Sequence, residues 1–469
     1  MKPRWLAATV IPVMAGSAIA HGFEERYDLP VPLSYVVVGA CAAVFLTFVL
    51  AILLIRRPAI PSAGFVGRKN LLPAAFRQGL ARLAQALVWL LFALTISSAL
   101  WGSRDPLMNL APTMIWIVWW IGISFAVVIC GNLWPALDPW RSSFEALDQL
   151  ARKLGLKQGL ARNWPWPAGL DAWPAVFLLL LWSWLEVVYP LASSPFRLGC
   201  AALLWTAVNL AGMVCFGPGQ WQKNADVFAL YFATLGKITP GASHLEAAAG
   251  PGKLQAAAQG GFVTAMLSTV LFDGLHGGMA WTSFEHLLRR FAATAMDING
   301  YFSGTMGLTL VWLAFSIAYL LSSSLSANLI KPSGQSSSGL QLAADFAPSL
   351  IPIAAAYNIA HNFSNLLIQG QRIFQLLSDP FGRQWDLFGT ARFYPDIAVV
   401  DARMTWFVAV LSIVAGHMLS VWMAHRQALR LGLSARRTAL ITTPLTLLML
   451  ACTAISLLVI AEPMVVYTP

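Results

Sequence analysis

Charge is scarce in this 469-residue chain. Asp, Glu, Lys and Arg make up 11% of it and hydrophobic residues 58%. A soluble globule carries about a quarter charged residues and fewer apolar ones, so a water-soluble domain is excluded. Cysteine is scarce too. Cys41, Cys130, Cys200, Cys215 and Cys452 all fall in apolar runs with no Cys-x-x-Cys spacing, which argues against a disulfide scaffold or a thiolate metal centre and leaves small buried residues. Also missing are a nucleotide-binding glycine loop, a Gly-x-Ser-x-Gly elbow, a His-Glu-x-x-His motif and an obvious internal repeat. The standard signatures of soluble enzymes are therefore absent.

What is present is a succession of long apolar runs. A membrane span needs roughly 20 mainly apolar residues. About ten candidates follow, near 33–55, 83–101, 112–130, 173–190, 197–216, 262–284, 303–325, 346–368, 404–424 and 439–461. The expected fold is all-α, a polytopic transmembrane helix bundle. Ahead of it, Lys2 and Arg4 precede a mostly apolar stretch ending in Ala18-Ile19-Ala20, which fits the small-x-small cleavage rule. Residues 1–20 then form a cleavable signal peptide and 21–469 a single helical domain beginning at His21. The alternative is an uncleaved first helix, against which Pro12 and Gly16 speak.

Lys and Arg favour cytoplasmic loops. With the amino terminus outside, 19 of them lie on the cytoplasmic side and 9 opposite, beyond the 2 in the signal. The net charge of +10 is thus topology. The cations are spread over separate loops and form no interleaved basic and aromatic surface, so no nucleic-acid partner is expected. The expected partner is the lipid bilayer, with the mature amino terminus on the outer side; the sequence does not fix the oligomeric state.

Three loops stand out. Residues 131–172 mix an amphipathic piece with Trp and Pro, as in a helix lying at the cytoplasmic interface. Residues 217–261 hold an aromatic stretch too short to span, expected at the surface or re-entrant. The outer-side loop 369–403 alternates charge with Pro and Gly, which suits either a tied-down loop or a lid. A fourth connection, the Gly/Ser-rich run 331–341, is expected to be flexible.

Polar groups within the spans are the informative residues, because ionisable side chains in hydrocarbon are costly and face a bundle interior or a wet cavity. In "LSTVLFDGLHGGMAW", Asp273 and His276 are three apart and share a helix face. Gly274, Gly277 and Gly278 let another backbone approach, or break the helix. In "PIAAAYNIAHNFSNLLIQGQ", Asn358, His361, Asn362, Asn365 and Gln369 draw a polar stripe down one helix. His417 lies inside the next span and His425 near its cytoplasmic end. Each could be packing glue. Together Asp273, His276, His361 and His417 offer imidazole and carboxylate ligands suited to a divalent transition metal, and His21 with a free terminal amine is a further metal candidate.

The combination of "HGFEERYDLPVPLSY" after a signal peptide, "FDGL", "AHNFSNLLIQGQ" running into "LSDPFGRQWDLFGT", and "GHMLSVWMAHRQAL" resembles the bacterial membrane proteins called fenitrothion hydrolases. The resemblance runs from the amino terminus to the last spans and implies a multi-pass protein of the bacterial inner membrane. It also implies hydrolysis of an organophosphorus triester with release of a nitrophenol. Asp273, His276 and His361 are the expected catalytic residues, with a metal held among them and His417 activating water, and Asn358 and Asn362 orienting a small lipophilic substrate. A transporter or metal-handling protein using the same Asp and His residues is the alternative. A third reading is a haem carrier with His361 and His417 as axial ligands.

Overall fold

Apolar segments that water cannot reach must satisfy their backbone hydrogen bonds internally, and helices do so within one segment. The computed structural model describes residues 32–55, 74–239, 253–291, 300–330 and 338–461. Among these residues there are helices and no strand. The proposed signal peptide and His21 lie outside them, as does most of 331–341.

The main helices are α1 (Leu33–Leu54), α2 (Ala74–Trp101), α3 (Leu110–Cys130), α4 (Pro139–Lys153), α5 (Trp173–Val188), α6 (Pro195–Phe216), α7 (Pro218–Asn224) and α8 (Val227–Ile238). They are followed by α9 (Lys253–His276), α10 (Met279–Phe291), α11 (Tyr301–Ile330), α12 (Gly339–Gln369), α13 (Arg372–Ser378), α14 (Ala402–Leu429) and α15 (Ala435–Ala461). Eight of them (α1, α2, α3, α6, α11, α12, α14 and α15) are long and apolar enough to cross a membrane; α5 and α8 are shorter apolar helices.

The polar-striped helix α12 is the hub, buried over most of its length where little of α1 is buried. It packs most extensively on α14 and α9, then on α11 and α3. Small residues make this closeness possible. A side chain at Gly416 of α14 would collide with Ala356 and the Pro352 carbonyl of α12, so the two backbones meet through glycine and alanine as membrane helices commonly do. Gly277 and Gly278 break the chain between α9 and α10, so the segment expected to span 262–284 instead runs as Lys253–His276 and turns into the amphipathic α10.

The 131–172 segment does contain an amphipathic helix, α4. Asp138 starts it by accepting the Trp140 and Arg141 amides at 2.9 and 3.0 Å. Arg141 pairs with Glu145 and Arg152 with Asp148, each one turn apart. The Arg152 guanidinium, helped by the Leu160 amide, holds the Asp148 carboxyl below its usual range. Short α8 is not a surface helix. Phe228, Tyr231, Phe232 and Leu235 are buried, against α3, α5 and α12.

The 369–403 loop is tied down. Asp379 accepts the Arg383 and Gln384 amides, Asp386 accepts the Ser378 hydroxyl and the Ala391 amide. The Ser98 hydroxyl donates to the Pro380 carbonyl and the Ser103 amide to that of Phe381, fastening the loop to the end of α2. Gly382 adopts φ +64° where a Cβ would meet the Met108 carbonyl, a position that favours glycine. The Ala391 amide, then the Ser378 hydroxyl, keep the exposed Asp386 carboxyl below its usual range.

Candidate functional site

Two helices interrupted by wide turns, α3 and α5, touch through their side chains. Residues Thr113–Gly122 of α3 and Trp184–Val188 of α5 are π-helical, a conformation that is rare and often found at functional sites. Each π segment carries one side chain into the same contact. The Trp120 indole donates to Glu186 Oε2 at 3.1 Å. Glu186 in turn lies close enough to Asp273 of α9 for the two charges to interact.

Asp273 is paired across helices. Its Oδ2 is 2.9 Å from His361 Nε2 of α12, with 25% of the Asp273 side chain exposed and 7% of that of His361. The carboxylate therefore faces open space while the imidazole supports it from behind. Gly274 makes room for the pair, because a Cβ there would come within 2.6 Å of the Tyr357 hydroxyl. Tyr357, one turn before His361, has its ring nearly parallel to the imidazole, centroids 6.4 Å apart.

The asparagine stripe completes the seam. Asn362 donates to Asn358 at 3.4 Å, and Asn358 donates to the Tyr231 hydroxyl of α8 at 3.1 Å. The Tyr231 ring lies 4.7 Å from that of Trp120. Side chains of α3, α5, α8, α9 and α12 thus form one polar junction running from Asn362 through Tyr231 and Trp120 to Glu186, Asp273 and His361. Farther along the stripe, Gln369 accepts from Arg372.

The remaining histidines take other places. His276 is packed against the rings of Phe272 and Trp281 at 5.5 and 5.3 Å. His417 is buried in α14 with Nδ1 2.8 Å from the Ile413 carbonyl of its own helix. His425, expected at the interface, is buried, its Nε2 3.2 Å from the Ile55 carbonyl at the end of α1. Among the described residues no three His, Cys, Asp or Glu side chains are grouped so as to hold a metal ion. Asp273 and His361 are the two expected ligands that meet. The set of Asp273, His276, His361 and His417 does not fit a metal centre in this arrangement.

Residue spacing pointed from Asp273 to His276 along one helix, and the cross-helix partner His361 was not foreseeable from it. Glu186, Trp120, Tyr231 and Tyr357 were missed altogether. Glu186 had a signal, since it is the lone carboxylate in "LLLLWSWLEVVYP" and the cost of ionisable groups in hydrocarbon applies to it as to Asp273. No protein family, curated protein or solved structure matches this chain.

Proposed function

We propose that this chain is an integral membrane hydrolase of lipophilic organophosphorus triesters, working at the Asp273–His361 pair. The observation that carries the reading is that pair itself. A partly exposed carboxylate is backed by a nearly buried imidazole, and a second carboxylate, Glu186, lies within range of its charge, all at a junction of helices. The likeness of its motifs to fenitrothion hydrolases supplies the substrate class.

In this reading Asp273 takes a proton from water as the water oxygen bonds to phosphorus. The bond from phosphorus to the aryl oxygen breaks, and the nitrophenolate leaves with the electron pair. His361 positions Asp273 and shares the proton. Asn362 offers an amide to the phosphoryl or thiophosphoryl group, held in place by Asn358 and Tyr231. General-base assistance of this kind contributes roughly 10²–10⁴-fold. The same reading places ten spans in a bacterial inner membrane, counting α5 and α9 with the eight long apolar helices, with the mature amino terminus outside.

Two neighbouring carboxylates inside a bundle also suit proton or cation movement, and the carrier reading rests on that observation. One experiment separates them. Nitrophenol release from a nitrophenyl phosphotriester is measured on wild type, Asp273→Asn and His361→Gln in lipid nanodiscs, with metal content determined on the same samples. Release well above the lipid blank that falls at least 100-fold in both folded variants supports hydrolysis. Wild-type release no faster than the blank removes it and leaves the carrier.

A further inference from the structure

We infer that the tied-down loop 383–399 is a membrane foot. It is seated in the phospholipid headgroup layer, with its apolar side chains among the tops of the acyl chains and its arginine side on lipid phosphates. The loop joins two spans, α12 and α14, and is fastened to the end of a third, α2. Its level is therefore that of the membrane boundary. Its surface is apolar where a connection in water carries polar turn residues. Leu387 is 59% exposed, Phe388 71% and Tyr394 82%, and Trp385, Ile397 and Val399 are exposed with them. A group of this kind marks an interaction surface.

Two observations identify the bilayer as what covers it. The first is continuity. Beyond Val399 come Met404, Phe407 and Leu411, exposed at three- and four-residue steps down one side of α14, so the patch runs on into the lipid face of a span. Trp101, where the loop is fastened to α2, is exposed as well. A protein partner would not require that continuity. The second is the sorting of charge. The aspartates are turned inward: besides Asp379 and Asp386, Asp396 accepts the Ala398 amide at 2.9 Å and Asp401 the Met404 amide at 2.6 Å. Arg383 and Arg403 stay at the surface beside rings. The Arg383 guanidinium lies 5.6 and 6.0 Å from the centres of Phe381 and Trp385, and that of Arg403 5.7 Å from Phe407. Aromatic rings settle at the headgroup level of a membrane, and there a guanidinium finds phosphate, its best planar partner.

The foot differs in this from the tryptophan cavity, a void of about 210 Å³ among α2, α3, α5, α6 and α8. There the rings are turned on one another, Trp116 and Trp182 4.9 Å apart and Trp182 edge-on to Trp205 at 5.8 Å. The Trp116 and Trp140 indoles donate to the Ala192 carbonyl and the Thr206 hydroxyl. Leu387, Phe388 and Tyr394 have no such enclosure. Lipid contact at the foot is read without turnover, so it stands apart from the hydrolytic reading.

The test places an environment-sensitive fluorescent amino acid at position 388 of the full chain, one copy per nanodisc. Quenching by phospholipid carrying a nitroxide on carbon 5 of the acyl chain is compared with quenching by aqueous iodide. A label at interfacial depth should be quenched at least about threefold more by the lipid than by iodide. Leu387→Asp and Arg383→Glu, both at exposed positions, should each lower that ratio about threefold, the first by forfeiting apolar burial and the second by setting a negative charge against phosphate. The labelled wild type decides the matter if a variant does not fold. Quenching by iodide alone means a solvated loop and overturns the proposal. Quenching by neither means a label packed against protein and overturns it too, as does a ratio that both variants leave unchanged. A wild type quenched by the lipid that hydrolyses no triester keeps the foot and removes only the hydrolase.

Discussion

The acid seam and the tryptophan cavity touch through the Trp120 and Trp182 rings and handle polarity differently. In the seam, polar side chains from five helices answer one another: Asp273 with His361, Glu186 with Trp120, Asn358 with Tyr231. In the cavity, two indole donors are left without an acceptor among the described residues. Both regions use tryptophan. What differs is how much a neighbouring helix supplies: the seam pairs its carboxylates, His361 and Asn358, although the Tyr357 hydroxyl within it lacks a partner among the described residues. Paired groups of that kind are preorganised for chemistry on something that enters the seam, whereas the cavity is held by ring packing.

The largest expected effect tests the seam. Replacing Asp273 by Ala leaves the His361 imbalance inside the bundle, and thermal unfolding in detergent should show a loss of about 2 kcal/mol, the scale of a hydrogen bond to a charged group. Next comes the fit beneath it. Gly274→Ala drives a Cβ to 2.6 Å from the Tyr357 hydroxyl and 3.1 Å from Val459, and overpacking of this kind costs about 1–3 kcal/mol. The same protein should hydrolyse triester more slowly, because Asp273 is the adjacent residue.

The sharpest contrast uses one substitution on both sides. Trp120→Phe strips Glu186 of its donor and should destabilise by about 1 kcal/mol more than Trp182→Phe, which removes a donor that lacks a partner. Equal losses would erase the distinction between seam and cavity. A weaker effect is expected at His417, whose Nδ1 is engaged by its own helix. His417→Asn should leave triester hydrolysis within about threefold of wild type, far from the drop expected for general-base residues. A larger drop would bring α14 into the site.

The smallest effect lies outside both regions. Asp386 has its carboxyl held below the ordinary value near 3.9. A depressed carboxyl contributes order that is fully present above its unfolded value and lost as pH falls through its folded one. Exchange of the Ala391 amide should therefore accelerate as pH drops below about 3.9, and Asp386→Asn should raise it already at neutral pH. The seam should be unmoved by that variant.

Much of the helical layout was legible from residue type alone. Apolar runs at 33–55, 112–130 and 404–424 became α1, α3 and α14 because nothing but a helix satisfies such a backbone away from water. The amphipathic piece in 131–172 became α4 for the same reason of local pattern. The Gly277-Gly278 pair could either pass a neighbour or end a helix, and only packing chose the second. In the site, the Asn358–Asn362 stripe was readable from its spacing, and both residues belong to the junction. His276 was misleading, since its ring turned to Phe272 and Trp281 rather than joining a ligand set.

The sequence by itself determined that this is an all-helical chain with spans enough for a membrane and few intramembrane ionisable groups, because hydropathy and period are local properties. It also marked Asp273 and His361 as costly residues needing partners. Tertiary structure alone decided who those partners are. Asp273 meets His361 across helices 88 positions apart in the chain, and Trp120 meets Glu186 across 66, through crossing geometry and glycine contacts that no local pattern encodes. It likewise decided that Trp116 and Trp140 find acceptors while Trp182 and Trp205 do not, since an indole's partner depends on which backbone the fold sets beside it.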